Sequence, residues 1–186
     1  MKKIAIFASG NGSNFQAIIN DIENGNLSAE IAVLVTDNPD CFAVARALSH
    51  KIPVFSFIPK NYTSKDEYEK EIAFFLIEKN ISLIVLAGYM RLIGNVLLKA
   101  FPNRIINIHP ALLPAFPGKN GIQQAYDYGV KVFGVTVHYV DSGVDSGKII
   151  AQECFKALGT ETLQEIEQKT HSIEHQLYSR VIKEIL

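Results

Sequence analysis

Asn107, Ile108 and His109 are followed at once by Pro110. Arg104 to Ile108 read as a short strand, and Pro110 cannot continue a sheet's hydrogen bonding, so the strand must end at His109. Residues two apart on a strand share a face, which places Asn107 and His109 together. A donating amide beside an imidazole that holds a proton suits the stabilisation of an oxyanion on a reacting carbonyl. A capped strand end with a satisfied histidine would leave the same trace. A carboxylate beside His109 would stabilise its imidazolium and fix its orientation. Asp145 is the candidate, in the turn-rich run Asp141-Ser142-Gly143-Val144-Asp145-Ser146-Gly147. Turn chemistry alone also favours aspartate there, and Asp141 competes for the role.

Two further stretches could bind ligands. Ser9-Gly10-Asn11-Gly12-Ser13-Asn14 joins a strand to a helix, and backbone N–H groups at a helix start can hold a single phosphate without a lysine. It is no dinucleotide fingerprint, because Phe15 stands where the third glycine would be, and no Gly-Lys-Ser/Thr follows. A tight turn needing glycine is the alternative. Ala87-Gly88-Tyr89-Met90-Arg91-Leu92-Ile93 follows an apolar strand. Ligands in open α/β sheets sit beyond the carboxyl ends of strands, so an apolar-walled cleft for a flat ligand fits here. Core packing of Met90, Leu92 and Ile93 is the plainer alternative.

The elements that must position these groups alternate. Strands are expected over residues 4–8, 31–35, 54–57 and 83–87, with helices over 15–23 and 41–50 between them. Ser64-x-x-Glu67 is a capping box for a helix burying Tyr68, Ile72, Phe75 and Leu76. Strand–helix–strand spacing implies right-handed crossovers and a doubly wound sheet. The second half changes character. After a helix over residues 121–128, strands at 132–141 and 148–155 are joined too closely to be parallel. Thr162-x-x-Glu165 caps a final helix whose buried stripe is Ile166, Ile173, Leu177 and Val181. The expected architecture is α/β: Rossmann-like, three-layered, with a mixed, mainly parallel sheet in one domain spanning 1–186.

Bulk composition narrows the function classes. With 186 residues, 48% hydrophobic, the chain can bury a sizeable core. A net charge of −1 without basic runs argues against nucleic acid or a membrane surface as partner. Cys41 and Cys154, the only cysteines, have no CxxC spacing, so two buried thiols in a reduced cytoplasmic setting are expected, and no metal. The apolar run from Ile4 to Ala8 is too short for a signal peptide or a membrane span.

Taken together, Phe7-Ala8-Ser9-Gly10-Asn11-Gly12-Ser13-Asn14-Phe15, Leu86-Ala87-Gly88-Tyr89-Met90-Arg91, Asn107-Ile108-His109-Pro110-Ala111-Leu112-Leu113-Pro114, and Val137-His138-Tyr139-Val140 followed by Asp145-Ser146-Gly147 carry a resemblance. The sequence resembles the folate-dependent formyltransferases along essentially its whole length, and Gly-Asn-Gly-Ser-Asn points to their glycinamide ribonucleotide branch. The resemblance implies transfer of the formyl group of 10-formyltetrahydrofolate, a co-substrate, to the glycinamide amine of the ribonucleotide in purine (IMP) biosynthesis. It implies Asn107, His109 and Asp145 as catalytic residues. Gly12, Ser13, Asn14 and Glu174 would hold the ribonucleotide. Met90, Arg91, Leu92, Ile93, Asn107, Val140 and Asp141 would hold the folate. Lys65 stands where the family often has a basic residue near the folate's glutamate tail, and a solvated lysine explains it equally.

The chain also departs from the pattern. Lys119-Asn120-Gly121-Ile122 follows Pro117-Gly118, where some members carry histidines, and His171 replaces a frequent glutamine. Methionyl-tRNA formyltransferase and formyltetrahydrofolate hydrolase would share the three catalytic residues, but each is expected to need a further domain. Monomer and homodimer are both compatible with the sequence.

Overall fold

The computed structural model describes residues 1–186. A seven-stranded sheet runs through it in the order β3-β2-β1-β4-β5-β6-β7. Strands β1 (Lys2–Phe7), β2 (Ala29–Thr36), β3 (Val54–Ser56), β4 (Leu83–Leu86) and β5 (Ile105–His109) are parallel, whereas β6 (Val132–Tyr139) and β7 (Ile149–Lys156) pair antiparallel. Strand order reverses between β1 and β4, and such a switch point opens a crevice beyond the carboxyl ends of the two strands.

The period-two alternation of the central strands feeds two cores. Ile4, Ile6, Leu83, Val85, Ile106 and Ile108 face α1 (Ser13–Glu23), α2 (Phe42–Ser49) and α6 (Leu163–Ile185). Ala5, Phe7, Ile84, Leu86 and Ile105 face α3 (Lys65–Glu78) and α4 (Asn95–Ala100). The smaller helix α5 (Gly121–Tyr128) packs Ile122 and Ala125 with Phe133, Ala157 and Ile166. Each fully buried Ile, Leu or Phe contributes roughly 1.5–3 kcal/mol, so both sheet faces must be covered for this strand composition to fold. Three layers result, as the sequence leads one to expect. No helix is long and apolar enough to cross a membrane.

Tyr178, on α6, is the largest fully buried side chain. Its hydroxyl lies 2.8 Å from the carbonyl of Leu86, at the carboxyl end of β4, and 3.1 Å from that of Ile106, near the start of β5. The long helix is thereby fastened to the strands that lead into the site.

Several local expectations need correction. Helix α4 was not anticipated, because its N-terminus is capped from another helix: the Glu69 carboxylate accepts from Gly94 N at 2.6 Å and Leu97 N at 3.5 Å. Cys41 is buried but Cys154 is exposed, since β7 is an edge strand whose alternate residues face outward. Phe75 is only partly buried. Met90 and Leu92 are not core residues at all, at 69% and 58% exposure, while Ile93 is buried. Strand β6 ends at Tyr139, because Asp141 Oδ1 is engaged in a turn with Gly143 N at 2.9 Å and Ser146 Oγ at 2.8 Å.

Candidate active site

A cavity of about 1080 Å³ opens beyond the carboxyl edge of the sheet. Its walls come from the β1–α1 turn, the segment after β4, the end of β5, the start of α5, the loop after β6, and α6.

At its centre β5 ends in Asn107 and His109. Asp145 comes from the loop after β6 and reaches both: Oδ2 lies 3.3 Å from His109 Nδ1, and Asn107 Nδ2 lies 3.4 Å from Oδ1. Asp145 Oδ2 also accepts from Gly118 N at 2.7 Å. Its backbone sits in the left-handed region (φ 50), which aspartate tolerates better than most residues. The carboxyl is held below the usual carboxylate range, first by its hydrogen bond from His138, then by Gly118 N–H and the nearby imidazoles, against the opposing effect of burial. The choice left open between two aspartates is resolved in geometry, since Asp141 serves the turn and Asp145 meets the histidine.

His109 is 4% exposed, and its other ring nitrogen, Nε2, lies 2.8 Å from the carbonyl oxygen of Phe116. Both ring nitrogens thus face acceptors, and only the doubly protonated ring donates to both. Gly121 closes over this imidazole. A Cβ there would lie 3.1 Å from His109 Nε2 and 3.3 Å from the Phe116 carbonyl oxygen, so a side chain at the first turn of α5 would crowd the ring.

The far end of the cavity is built for an anion. Gly12, at φ 74, is the N-cap of α1, and its missing Cβ would lie 3.0 Å from Ala43 Cβ. Glycine therefore answers both the turn and the close packing on α2. The first turn of α1 holds no acidic residue, leaving its N–H groups and positive dipole end open. Arg46 fixes the loop from behind, donating Nε to Asn11 O at 2.9 Å and a terminal N–H to Asn11 Oδ1 at 3.0 Å.

A family model described as formyl transferase matches residues 2–182. The chain belongs to the formyl transferase family. A phosphoribosylglycinamide formyltransferase of Bacillus subtilis (strain 168) is 51% identical over 186 residues, covering 100% of this chain and 95% of that protein. The crystal structure of glycinamide ribonucleotide transformylase 1 from Geobacillus kaustophilus superposes with a TM-score of 0.97 at 49% identity, covering 100% and 99% of the two chains. A phosphoribosylglycinamide formyltransferase structure from Bacillus halodurans gives 0.95 at 50% identity, covering 100% of this chain and 95% of that one.

In this formyl transferase the cavity is lined by Asn107, His109 and Asp145, by Gly12, Ser13, Asn14 and Glu174, and by Met90 to Ile93 with Val140 and Asp141. Lys65 is not among the lining residues; its Nζ lies 3.9 Å from Glu69 Oε1. Glu174 is 4% exposed and accepts from His171 Nδ1 at 2.6 Å, which raises the His171 pKa. Arg91, Leu92 and Ile93 make no backbone hydrogen bonds, so this strand-end segment offers unused donors and acceptors to the cavity.

Sequence reasoning missed His138 as a member of this formyl transferase site. It lies directly across from Asn107 on β6, with Nδ1 2.8 Å from Tyr139 O. Its Nε2 stands 3.3 Å from Asn107 Nδ2 and 3.5 Å from Asp145 Oδ1. Neutral, it accepts from the amide; charged, it donates to the carboxylate. Only the β5–β6 register reveals the neighbour, and the sequence carries no mark of that register.

Proposed function

We propose that this chain transfers the formyl group of 10-formyltetrahydrofolate to the amine of glycinamide ribonucleotide, the acceptor that its relatives' names give. The observation that carries the reading is the meeting of Asn107, His109 and Asp145 on a wall of the cavity whose far end is an open helix N-terminus. The ribonucleotide phosphate rests on the N–H groups of Gly12, Ser13 and Asn14, and Glu174 receives the ribose hydroxyls. The unpaired backbone of Arg91 to Ile93 suits the hydrogen-bonding edge of a pterin, with Val140 and Asp141 opposite.

The neutral amine attacks the formyl carbon, and negative charge gathers on the formyl oxygen as the tetrahedral intermediate forms. Asn107 donates an N–H to that oxygen and protonated His109 supplies a second, charged donor. His109 Nε2 meets the Phe116 carbonyl in the structure, so the loop Ala111–Gly118 must yield this donor to the formyl oxygen. Asp145 keeps the imidazolium oriented and guides the proton from the incoming nitrogen to the departing folate nitrogen. The carbon–nitrogen bond to folate then breaks, giving formylated ribonucleotide and tetrahydrofolate.

Following folate product with and without glycinamide ribonucleotide tests this. Formation only with the ribonucleotide present is expected. Turnover without an amine acceptor would make the protein a hydrolase, and binding without turnover a nucleotide-binding module.

A further inference from the structure

The backbone of Arg91 to Ile93 is free of hydrogen bonds within the protein, so its position depends on what holds its two ends. The trailing end is held by Glu69, whose buried carboxylate takes Gly94 N. The leading end is held by residues outside the cavity lining. Ser9 N donates to Gly88 O at 3.0 Å, and Ser9 Oγ accepts from Met90 N at 2.9 Å. That hydroxyl in turn donates to Asp37 Oδ1 at 2.5 Å, while Asp37 Oδ2 takes Arg91 Nε at 2.6 Å. The Asp37 side chain is 10% exposed and the Arg91 side chain 41%, so of the two charge-assisted bonds the one to Ser9 is the better shielded from water.

On the formyl-transfer reading above, we infer that Asp37, acting through the Ser9 hydroxyl and the Arg91 guanidinium, is a positioning residue for the folate co-substrate. Its carboxylate orients the Ser9 hydroxyl so that the oxygen lone pair faces Met90 N–H. With the serine hydrogen committed to Asp37, the hydroxyl can only accept from Met90. The same carboxylate fixes Arg91 at Nε. Ser9 opens the phosphate loop, and its carbonyl accepts from Asn38 Nδ2 at 3.4 Å, yet its N–H and hydroxyl run to the segment after β4 and to Asp37. The effect therefore falls on folate rather than on the ribonucleotide.

The test uses the full chain with Asp37→Ala, Asp37→Asn, Ser9→Ala and the double Asp37→Ala/Ser9→Ala variant, with melting temperature recorded for each. Asp37→Ala and Ser9→Ala are expected to raise KM for 10-formyltetrahydrofolate about tenfold and leave KM for glycinamide ribonucleotide within about twofold. Asp37→Asn, which keeps an acceptor for the serine, recovers part of the loss. The double variant stays within about twofold of Asp37→Ala, because both substitutions break one connected chain of bonds. Should Asp37→Ala fail to fold, Ser9→Ala and Asp37→Asn carry the same comparison. An unchanged folate KM in active variants overturns the inference and leaves formyl transfer standing, as does an equal rise in both KM values or a multiplicative double variant. A wild-type protein that never transfers formyl overturns the underlying reading instead.

Discussion

Asp145 and His109 approach to 3.3 Å between Oδ2 and Nδ1, and the same Asp145 oxygen holds the amide of Gly118 at 2.7 Å. One carboxylate thus ties the end of β5 to both loops that overhang it. Its substitution by asparagine separates charge from shape, since asparagine also tolerates the left-handed backbone at φ 50. Asp145→Asn is expected to fold and to lose most of kcat, measured by steady-state kinetics beside a thermal melt.

The same substitution has a pH signature. The Asp145 pKa is lower in the folded protein than the roughly 3.9 of an unfolded chain, so its ionisation stabilises the fold above that value. As pH falls through the folded pKa the contribution disappears. Denaturant titrations should therefore show wild type losing stability relative to Asp145→Asn below about pH 4.

Asn107→Ala removes a proposed oxyanion donor from a half-buried strand end. A fall of about 10²–10³ in kcat is expected, with little change in melting temperature. A variant that kept wild-type kcat would remove Asn107 from the chemistry.

His171 behaves in the opposite sense to Asp145. Its pKa is raised by the hydrogen bond to Glu174, so the pair stabilises the fold fully below the unfolded value of about 6.5 and loses that contribution as pH rises through the folded value. The side chain is 50% exposed, which makes the effect small. Wild type should lose stability relative to His171→Gln as pH rises above about 6.5, read by denaturation at a series of pH values.

Gly12→Ala introduces a Cβ at φ 74 and 3.0 Å from Ala43. A loss of about 1–2 kcal/mol is expected from backbone conformation alone. The ribonucleotide KM should rise more than the folate KM, because the displaced N–H groups are those proposed to hold the phosphate.

What could be read from the sequence was local. Asn107 and His109 share a face by strand periodicity, and Thr162/Glu165 closes the full expected capping box, whereas at Ser64 only the hydroxyl half forms, because the Glu67 carboxylate bonds Thr63 N and Oγ1 instead. What escaped was set by partners distant in the chain. Helix α4 owes its cap to Glu69, and the anion loop owes its shape to Arg46 of α2. His138 joins the site only through β5–β6 pairing, and Asp37 reaches Arg91 only because β2 and β4 both flank β1.

Tyr178 gives the enzyme a fixed gauge. By pinning α6 to the carbonyls of Leu86 and Ile106, it sets the span between Glu174 and the β5 corner as a property of the rigid scaffold. With the ribose held at Glu174 as proposed, an acceptor whose amine sits a bond nearer to its sugar, or a bond farther, is expected to enter and bind but to stay out of reach of the formyl carbon.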